Sequence, residues 1–302
     1  MAPNTPHLAK VIFALTCVAA LGACGGGNSV DTSGGPVVVP PPSPPPPPPP
    51  LPPPPPPPTA ARWQPAVADT WQWQLNGTLQ TNVAVRAYDI DLFNNSAAAI
   101  AALQARGIRV ICYFSAGSSE DFRSDFGSFA AADLGLTLDG FANERWLDIR
   151  SQNVRNIMTV RLNLAQSKGC DGVEPDNVDG YTNNTGFALT AQNQLDFNRW
   201  LAAEAHARGM AVGLKNDVDQ LAVLQPDFDF AVNEQCHEFD ECGGYSVFTA
   251  AGKPVFNAEY LARYVQNTGG ARDALCVTAR RENFRTLILP LELDGSFRFS
   301  CD

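Results

Sequence analysis

Gly169-Cys170-Asp171-Gly172-Val173-Glu174-Pro175-Asp176-Asn177-Val178-Asp179-Gly180 sets four carboxylates within nine residues, Asp171 to Asp179. Charge of one sign at this density is costly unless water, a metal or a cation meets it. Val173 is the position suited to burial. Pro175 lacks an N–H, and the Asn, Asp and Gly residues after it favour turns. The stretch predicts a short buried strand over Asp171–Glu174 that ends by placing Glu174, Asp176 and Asp179 at the mouth of a cleft.

Working outward, short apolar runs alternate with helical segments. Strands are expected at Val83–Tyr88, Arg109–Phe114, Trp146–Ile149, Asp171–Glu174, Ala211–Leu214, Phe228–Val232, Val255–Ala258 and Thr286–Leu289. Helices are expected from Ser96, as cap, to Arg106, from Ser151 to Lys168 and from Thr190 to Gly209. Eight strands with intervening helices in about 240 residues is the pattern of a (β/α)8 TIM barrel. A doubly wound sheet is the alternative, but no Gly-rich phosphate loop follows the first strand. Polar groups recur at the strand ends: Asp89, Ser115, Asp148, Glu174 with Asp176, Lys215 with Asn216, Glu234 and Glu259. In a barrel these ends share one face, so residues remote in sequence would converge there.

The chain before that region has another character. Lys10 precedes an apolar run, Val11 to Ala23, too short to span a bilayer. It reads as a signal peptide over residues 1–23. The ending Leu21-Gly22-Ala23-Cys24 resembles a bacterial lipobox, with Cys24 lipidated; an ordinary signal peptide with an incidental Cys is the alternative. Residues 24–62 read as a Gly/Pro-rich disordered linker. Pro40 to Pro58 would extend roughly 60 Å as polyproline II, a stiff spacer rather than a ligand for a proline-reading domain. An exported, membrane-anchored protein is expected, with residues 63–302 as its one domain.

The charges before Trp63 are Lys10, Asp31 and Arg62, which leaves the domain 19 basic and 30 acidic residues, a net charge of −11. That argues against nucleic acid and is compatible with a cationic partner. Cys112, Cys170, Cys236, Cys242, Cys276 and Cys301 remain in the domain, and an even count in an exported chain reads as disulfides. Cys236 and Cys242 flank one short loop, Cys276 with Cys301 would staple the C-terminus, and Cys112 with Cys170 is left by elimination. Zinc is disfavoured: no CxxC occurs, and the domain's histidines are His206 and His237.

Several carboxylates in one pocket, without a metal motif, suit a general acid paired with a carboxylate base or nucleophile, the requirement of glycosidic cleavage. Crowded like charges push their pKa values apart, and Lys215 could hold one of them ionised. A calcium loop starting at Glu174 fails in register, because Val178 stands at position five and Gly180 at position seven. Tyr113-Phe114-Ser115-Ala116-Gly117 resembles a nucleophile elbow with Tyr113 in place of the first Gly; an esterase or deacetylase with His237 is the competing enzyme.

The segments Tyr113–Ser118, Arg145–Arg150, Gly169–Tyr181, Gly213–Asp217, Asn233–Cys236 and Asn257–Tyr260 together resemble glycoside hydrolase family 114, across essentially all of residues 63–302. The resemblance implies a (β/α)8-barrel endo-α-1,4-polygalactosaminidase acting on galactosamine-containing exopolysaccharide, with no cofactor. It also implies two catalytic acids, after the fourth and sixth strands, at Asp176 and Glu234; Glu174 competes with Asp176 inside one motif. Galactosamine without acetyl groups is cationic, so an acidic cleft would attract it, whether bare or partly acetylated. Asp89, Asp148, Glu174, Asp179 and Glu259, with Ser115, Lys215, Asn216 and Asn233, are candidate substrate contacts. Tyr113, Tyr181 and Tyr260 are candidates to stack on sugar faces. A monomer is expected. A surface glycan-binding module without catalysis is the alternative of a different class.

Overall fold

The computed structural model describes residues 62–302. The signal peptide, Cys24 and all but the last residue of the linker lie outside them. The strands are β1 (Trp71–Gln74), β2 (Ala87–Asp91), β3 (Arg109–Ser115), β4 (Ser118–Glu120), β5 (Leu134–Leu138), β6 (Phe141–Leu147), β7 (Gly172–Asp176), β8 (Ala211–Lys215), β9 (Phe230–Glu234), β10 (Val255–Glu259), β11 (Phe284–Ile288) and β12 (Phe299–Ser300). The helices are α1 (Ala97–Gln104), α2 (Gln152–Lys168), α3 (Ala191–Ala207), α4 (Leu221–Leu224), α5 (Cys236–Phe239), α6 (Ser246–Ala250), α7 (Ala262–Val265) and α8 (Ala271–Arg281).

One curled sheet runs β1-β2-β3-β7-β8-β9-β10-β11-β12, parallel throughout except for the last pair. Its eight parallel strands are the staves of a (β/α)8 barrel. Side chains tie β1 to β11: Trp71 Nε1 donates to the Arg285 carbonyl at 2.7 Å, and Arg285 Nε donates to the Val67 carbonyl at 2.7 Å.

Two expectations change. The first stave is Trp71–Gln74, and residues 83–86 only lead into β2. Trp71-Gln72-Trp73-Gln74 alternates with period two and sends both indoles into the barrel, stacked 5.5 Å apart. Trp146–Ile149 is not a stave either. Trp146 and Leu147 end β6, the middle strand of a small antiparallel sheet, β4-β6-β5, inserted between β3 and α2. Leu138-Asp139-Gly140-Phe141 makes its hairpin, with Leu138 paired to Phe141, the Asp-Gly signature of a two-residue turn. The fourth parallel strand also runs past Pro175 to Asp176. Its ladder with β8 stops at Val173, whereas its ladder with β3 continues to Asp176, so the missing N–H falls where β8 no longer pairs.

Period two separates the two faces of each stave. Val110, Cys112, Phe114, Val173, Val212 and Leu214 pack outward under the helices. Trp71, Trp73, Ile111, Ala211, Phe230, Val232 and Phe256 fill the interior. Gly213 makes room for Phe230: a Cβ there would lie 2.3 Å from the ring. All three expected disulfides are present. Cys112–Cys170 ties β3 to the start of β7, Cys236–Cys242 closes the loop after β9, and Cys276–Cys301 joins α8 to the C-terminus. Capping follows sequence as well: Ser96 accepts from Ala99 N, and Thr190 and Asn193 form a reciprocal capping box.

Gly213→Ala should cost about 1–3 kcal/mol through overpacking against Phe230. At roughly 2–4 °C per kcal/mol for a domain of this size, thermal unfolding should show a clear fall in midpoint. An unchanged midpoint would contradict the packing described.

Candidate active site

The C-terminal ends of β7, β8 and β9 bring the acids together. Inward positions alternate along each strand, so Glu174 and Asp176 on β7, Lys215 on β8 and Glu234 on β9 all face the barrel axis. The Lys215 ammonium lies 3.1 Å from Glu174 Oε1, 3.1 Å from Asp176 Oδ1 and 3.1 Å from Glu234 Oε2. Behind it, the Trp73 ring centroid is 4.8 Å away. Burial would pull the ammonium down, but Asp176, Glu174 and Glu234 outweigh it and hold its pKa well above the ordinary lysine value. Lysine therefore stays charged.

The three carboxylates differ in access. The Glu174 side chain has no exposed surface, whereas 17% of Asp176 and 22% of Glu234 remain exposed. Tyr113 Oη donates to Asp176 Oδ2 at 3.0 Å, and the Asn177 amide donates to Oδ1 at 2.7 Å. Tyr260 Oη donates to Glu234 Oε1 at 2.6 Å. Burial, then the adjoining carboxylates, push both phenols well above their usual range, so they remain donors at neutral pH.

Asp176 is held from behind. Ala116 N and Gly117 N donate to its carbonyl at 2.8 and 3.0 Å. Gly117 permits that approach, since a Cβ there would stand 1.7 Å from the Asn177 carbonyl oxygen. Asn177 Nδ2 donates to Ser115 Oγ and Ser118 Oγ, and Ser118 Oγ donates to Glu144 Oε2 at 2.8 Å. The inserted sheet is thus hydrogen-bonded to the loop that follows Asp176. Burial pushes the Glu144 carboxyl up to about 7.

Behind Glu234, Asn216 Oδ1 accepts from its amide at 3.1 Å. Asn233 turns outward, accepts from Cys236 N and Asn257 Nδ2, and donates to Tyr245 Oη. Glu259 also faces away from the axis, and its Oε1 accepts from His237 N at the start of α5. These bonds fix the loop closed by Cys236–Cys242.

The expected contacts therefore divide. Asp176, Glu234, Tyr113, Tyr260, Asn216 and Asp179 have surface at the strand ends, and Lys215 sits just beneath. Asp89, Ser115, Glu174, Asn233 and Glu259 are buried, and their visible contacts are to protein groups rather than to an open cleft. Asp148 follows the inserted sheet, not a barrel strand, and both its oxygens are taken by Arg150. Asp171 accepts from Val110 N, Gln104 and Arg109 and serves to start β7. Trp73, Asn177, Ser118, Glu144 and Asp217 were not anticipated. The alternation of β1 was the signal for Trp73; the others are placed only by tertiary contacts.

Asp179 neighbours Asp217 across two loops. Asn198 Nδ2 joins them, donating to the Val178 carbonyl and to Asp217 Oδ2, each at 2.9 Å. Burial, with Asp179 beside it, pushes the Asp217 carboxyl up to about 8.

The competing chemistries find no matching geometry. Ser115 is buried and bonded to Ser118 and Asn177. His206 bonds Asp229 at 2.9 Å, and His237 sits 3.9 Å from Glu282, so neither serves Ser115. Cys236, His237 and Cys242 cluster, but the two sulfurs are already joined to each other and offer no thiolate.

Residues 53–302 match the glycoside-hydrolase family GH114. The structure of Ega3 from Aspergillus fumigatus, in complex with galactosamine, is 45% identical with a TM-score of 0.76, over 80% of this chain and 99% of that one. The glycoside hydrolase domain of PelA from Pseudomonas aeruginosa is 16% identical with a TM-score of 0.60, over 75% of this chain and 96% of that one, a likeness of fold. Comparison with curated proteins gives no match. With the family's pattern spanning the whole barrel and the acids converging at its C-terminal mouth, the chain belongs to glycoside hydrolase family GH114.

Proposed function

We propose that this glycoside hydrolase cleaves α-1,4-linked galactosamine-containing polysaccharide within the chain, with Asp176 and Glu234 as its catalytic carboxylates. The observation that carries this is the pair of half-buried acids held by one buried ammonium at the barrel mouth. Glu174, without exposed surface, cannot touch substrate and supports the lysine from below.

Roles follow from donors. Asp176 accepts from Lys215, Tyr113 and the Asn177 amide, which hold its two oxygens in place at the mouth. It attacks the anomeric carbon. Glu234, the more exposed of the two, gives its proton to the departing glycosidic oxygen, then takes one from the water that releases the glycosyl group. One Nζ touching both acids limits their nearest oxygens to at most about 6.2 Å, twice the 3.1 Å contact. That is a bound on the nearest oxygens alone; retention is the route this reading adopts, with the ~5–5.5 Å group separation it requires.

The net charge of −11 in residues 63–302 supports a cationic, amine-bearing glycan. Asp179 and Tyr181, both partly exposed and clustered with Asp217, are the residues this reading assigns to ammonium groups and sugar faces. Export and anchoring through Cys24 are part of the same proposal and rest on the sequence of residues 1–62; a monomeric state is proposed with them. Cys24→Ala should move the protein from the membrane to the soluble fraction.

Asp176→Asn and Glu234→Gln should each lower kcat by about 10³-fold or more, with thermal unfolding nearly unchanged. The measurement is new reducing ends from deacetylated galactosaminan; full activity in either variant would sink the assignment. NMR of the first product should show the α anomer, and a β product would exclude a retaining route.

Asp217 gives a pH test. Its native carboxyl, at about 8, lies above the unfolded value near 3.9. The native state therefore holds a proton that the unfolded chain releases. The associated stability is complete below about pH 4 and lost as pH rises through about 8. Asp217→Asn should flatten the fall in unfolding midpoint across that window and stand above the wild type at pH 9. Parallel curves for the two proteins would refute the assignment.

A further inference from the structure

The proposed reaction leaves one acid of the barrel unused. Asp89, inward on β2, is fully buried, and among the described residues no N–H or O–H donates to either of its oxygens. Its carboxyl adjoins that of Glu174, which is equally buried and whose two oxygens likewise meet no N–H or O–H donor. Two carboxylates are both acceptors, so such a contact needs a proton between them. Glu174 in turn presents Oε1 to Lys215. The other groups facing this pair are Asp176 and Glu234, whose free oxygens are committed to Tyr113 and Tyr260, and the Trp73 ring behind the ammonium.

We propose that Asp89 and Glu174 share a single proton beneath Lys215, and that this buried pair is the positioning element that seats the ammonium between Asp176 and Glu234. The inference rests on the catalytic roles proposed above for those two acids. An ammonium has three N–H donors. Lys215 lies 3.1 Å from one oxygen of each of three carboxylates, Asp176 and Glu234 at the mouth and Glu174 below, the last an ion pair rather than an aligned hydrogen bond. Asp89, protonated, donates to Glu174 and fixes how it faces the lysine. Were both lower acids ionised, two buried anions would draw the ammonium down and away from the mouth. Burial and the neighbouring Glu174 raise Asp89 well above the usual carboxylate range, which keeps the proton there.

Infrared difference spectra of the full chain at neutral pH test the proton directly. Beside the bands of Asp217, Glu144 and Glu234, the wild type should show one further protonated-carboxyl C=O stretch, which Asp89→Asn removes and Asp176→Asn keeps. Kinetics test the positioning role. Asp89→Asn supplies an amide N–H in place of the shared proton and should keep kcat within about threefold of wild type. Asp89→Leu should lower kcat by about 10²-fold with KM little changed, as expected for a small displacement of a catalytic group. The loss should fall on kcat rather than KM and be rescued in Asp89→Asn; an equal loss in both parameters would mean a structural role only. No band assignable to Asp89, or an Asn variant as impaired as the Leu variant, overturns the proposal. If Asp89→Leu does not fold, the band and the Asn variant decide. If the band behaves as stated while no protein cleaves deacetylated galactosaminan, the substrate reading fails and the shared proton stands.

Discussion

One ammonium, Lys215, is the interaction on which the cleft depends. Adjacent strands lie ~4.8 Å apart, so β7 and β9, on either side of β8, place their backbones roughly 10 Å apart. A lysine on the middle strand is long enough to reach both neighbours, and its charge draws the two carboxylates inward. Burying a cation is costly, and burying several anions more so, unless they meet. Here neither sign could occupy the barrel axis alone. Removing the cation would leave Asp176, Glu174 and Glu234 to repel one another or take up protons.

The surroundings limit how far that cluster can relax. Trp73 closes the space behind the ammonium, and Gly213 gives up its side chain so that Phe230 can fill the layer below. Tyr113 and Tyr260 each hold the outer oxygen of one acid, so both carboxylates are fixed at two points. On the β7 side, Gly117 and Asn177 lock the backbone of Asp176; on the β9 side, Asn216, Asn233 and the Cys236–Cys242 loop lock that of Glu234. Such support from rigid strands and bonded loops is what keeps a catalytic geometry within the narrow tolerance that proton transfer and displacement need.

Much of this was legible in the sequence because strand ends carry chemistry in a barrel. The acids of β7 and β9 and Lys215 between them could be read as polar strand ends, and the disulfide pairs from loop spacing and elimination, whereas the choice of Asp176 and Glu234 among those acids came from the family resemblance. The eight-strand count was right through two compensating errors: β1 was hidden because its inward residues are tryptophans spaced by glutamines, and β6 looked like a stave because Trp146-Leu147 is apolar. Side-chain parity was the harder limit. Once Glu234 is known to face inward, period two turns Asn233 outward, and the same holds for Ala258 and Glu259. A polar residue at a strand end therefore has even odds of supporting the site from behind. Asp217 and Glu144 needed the tertiary fold, since burial raises their pKa values and no local pattern reports it.

Charge at the mouth links the architecture to the glycan proposed for it. A general acid must carry a proton, and the Asp89–Glu174 pair shares another. Of the four carboxyls on this part of the axis, two negative charges then remain against one lysine. The empty cleft is left with a surplus of one negative charge, partly screened by water at the exposed faces of Asp176 and Glu234. A neutral sugar cannot balance it, whereas an ammonium-bearing sugar can, and the oxocarbenium-like transition state adds positive charge at the same point. The surplus is thus better met as the reaction proceeds than at the start, which is the condition for binding energy to lower the barrier rather than deepen the ground state.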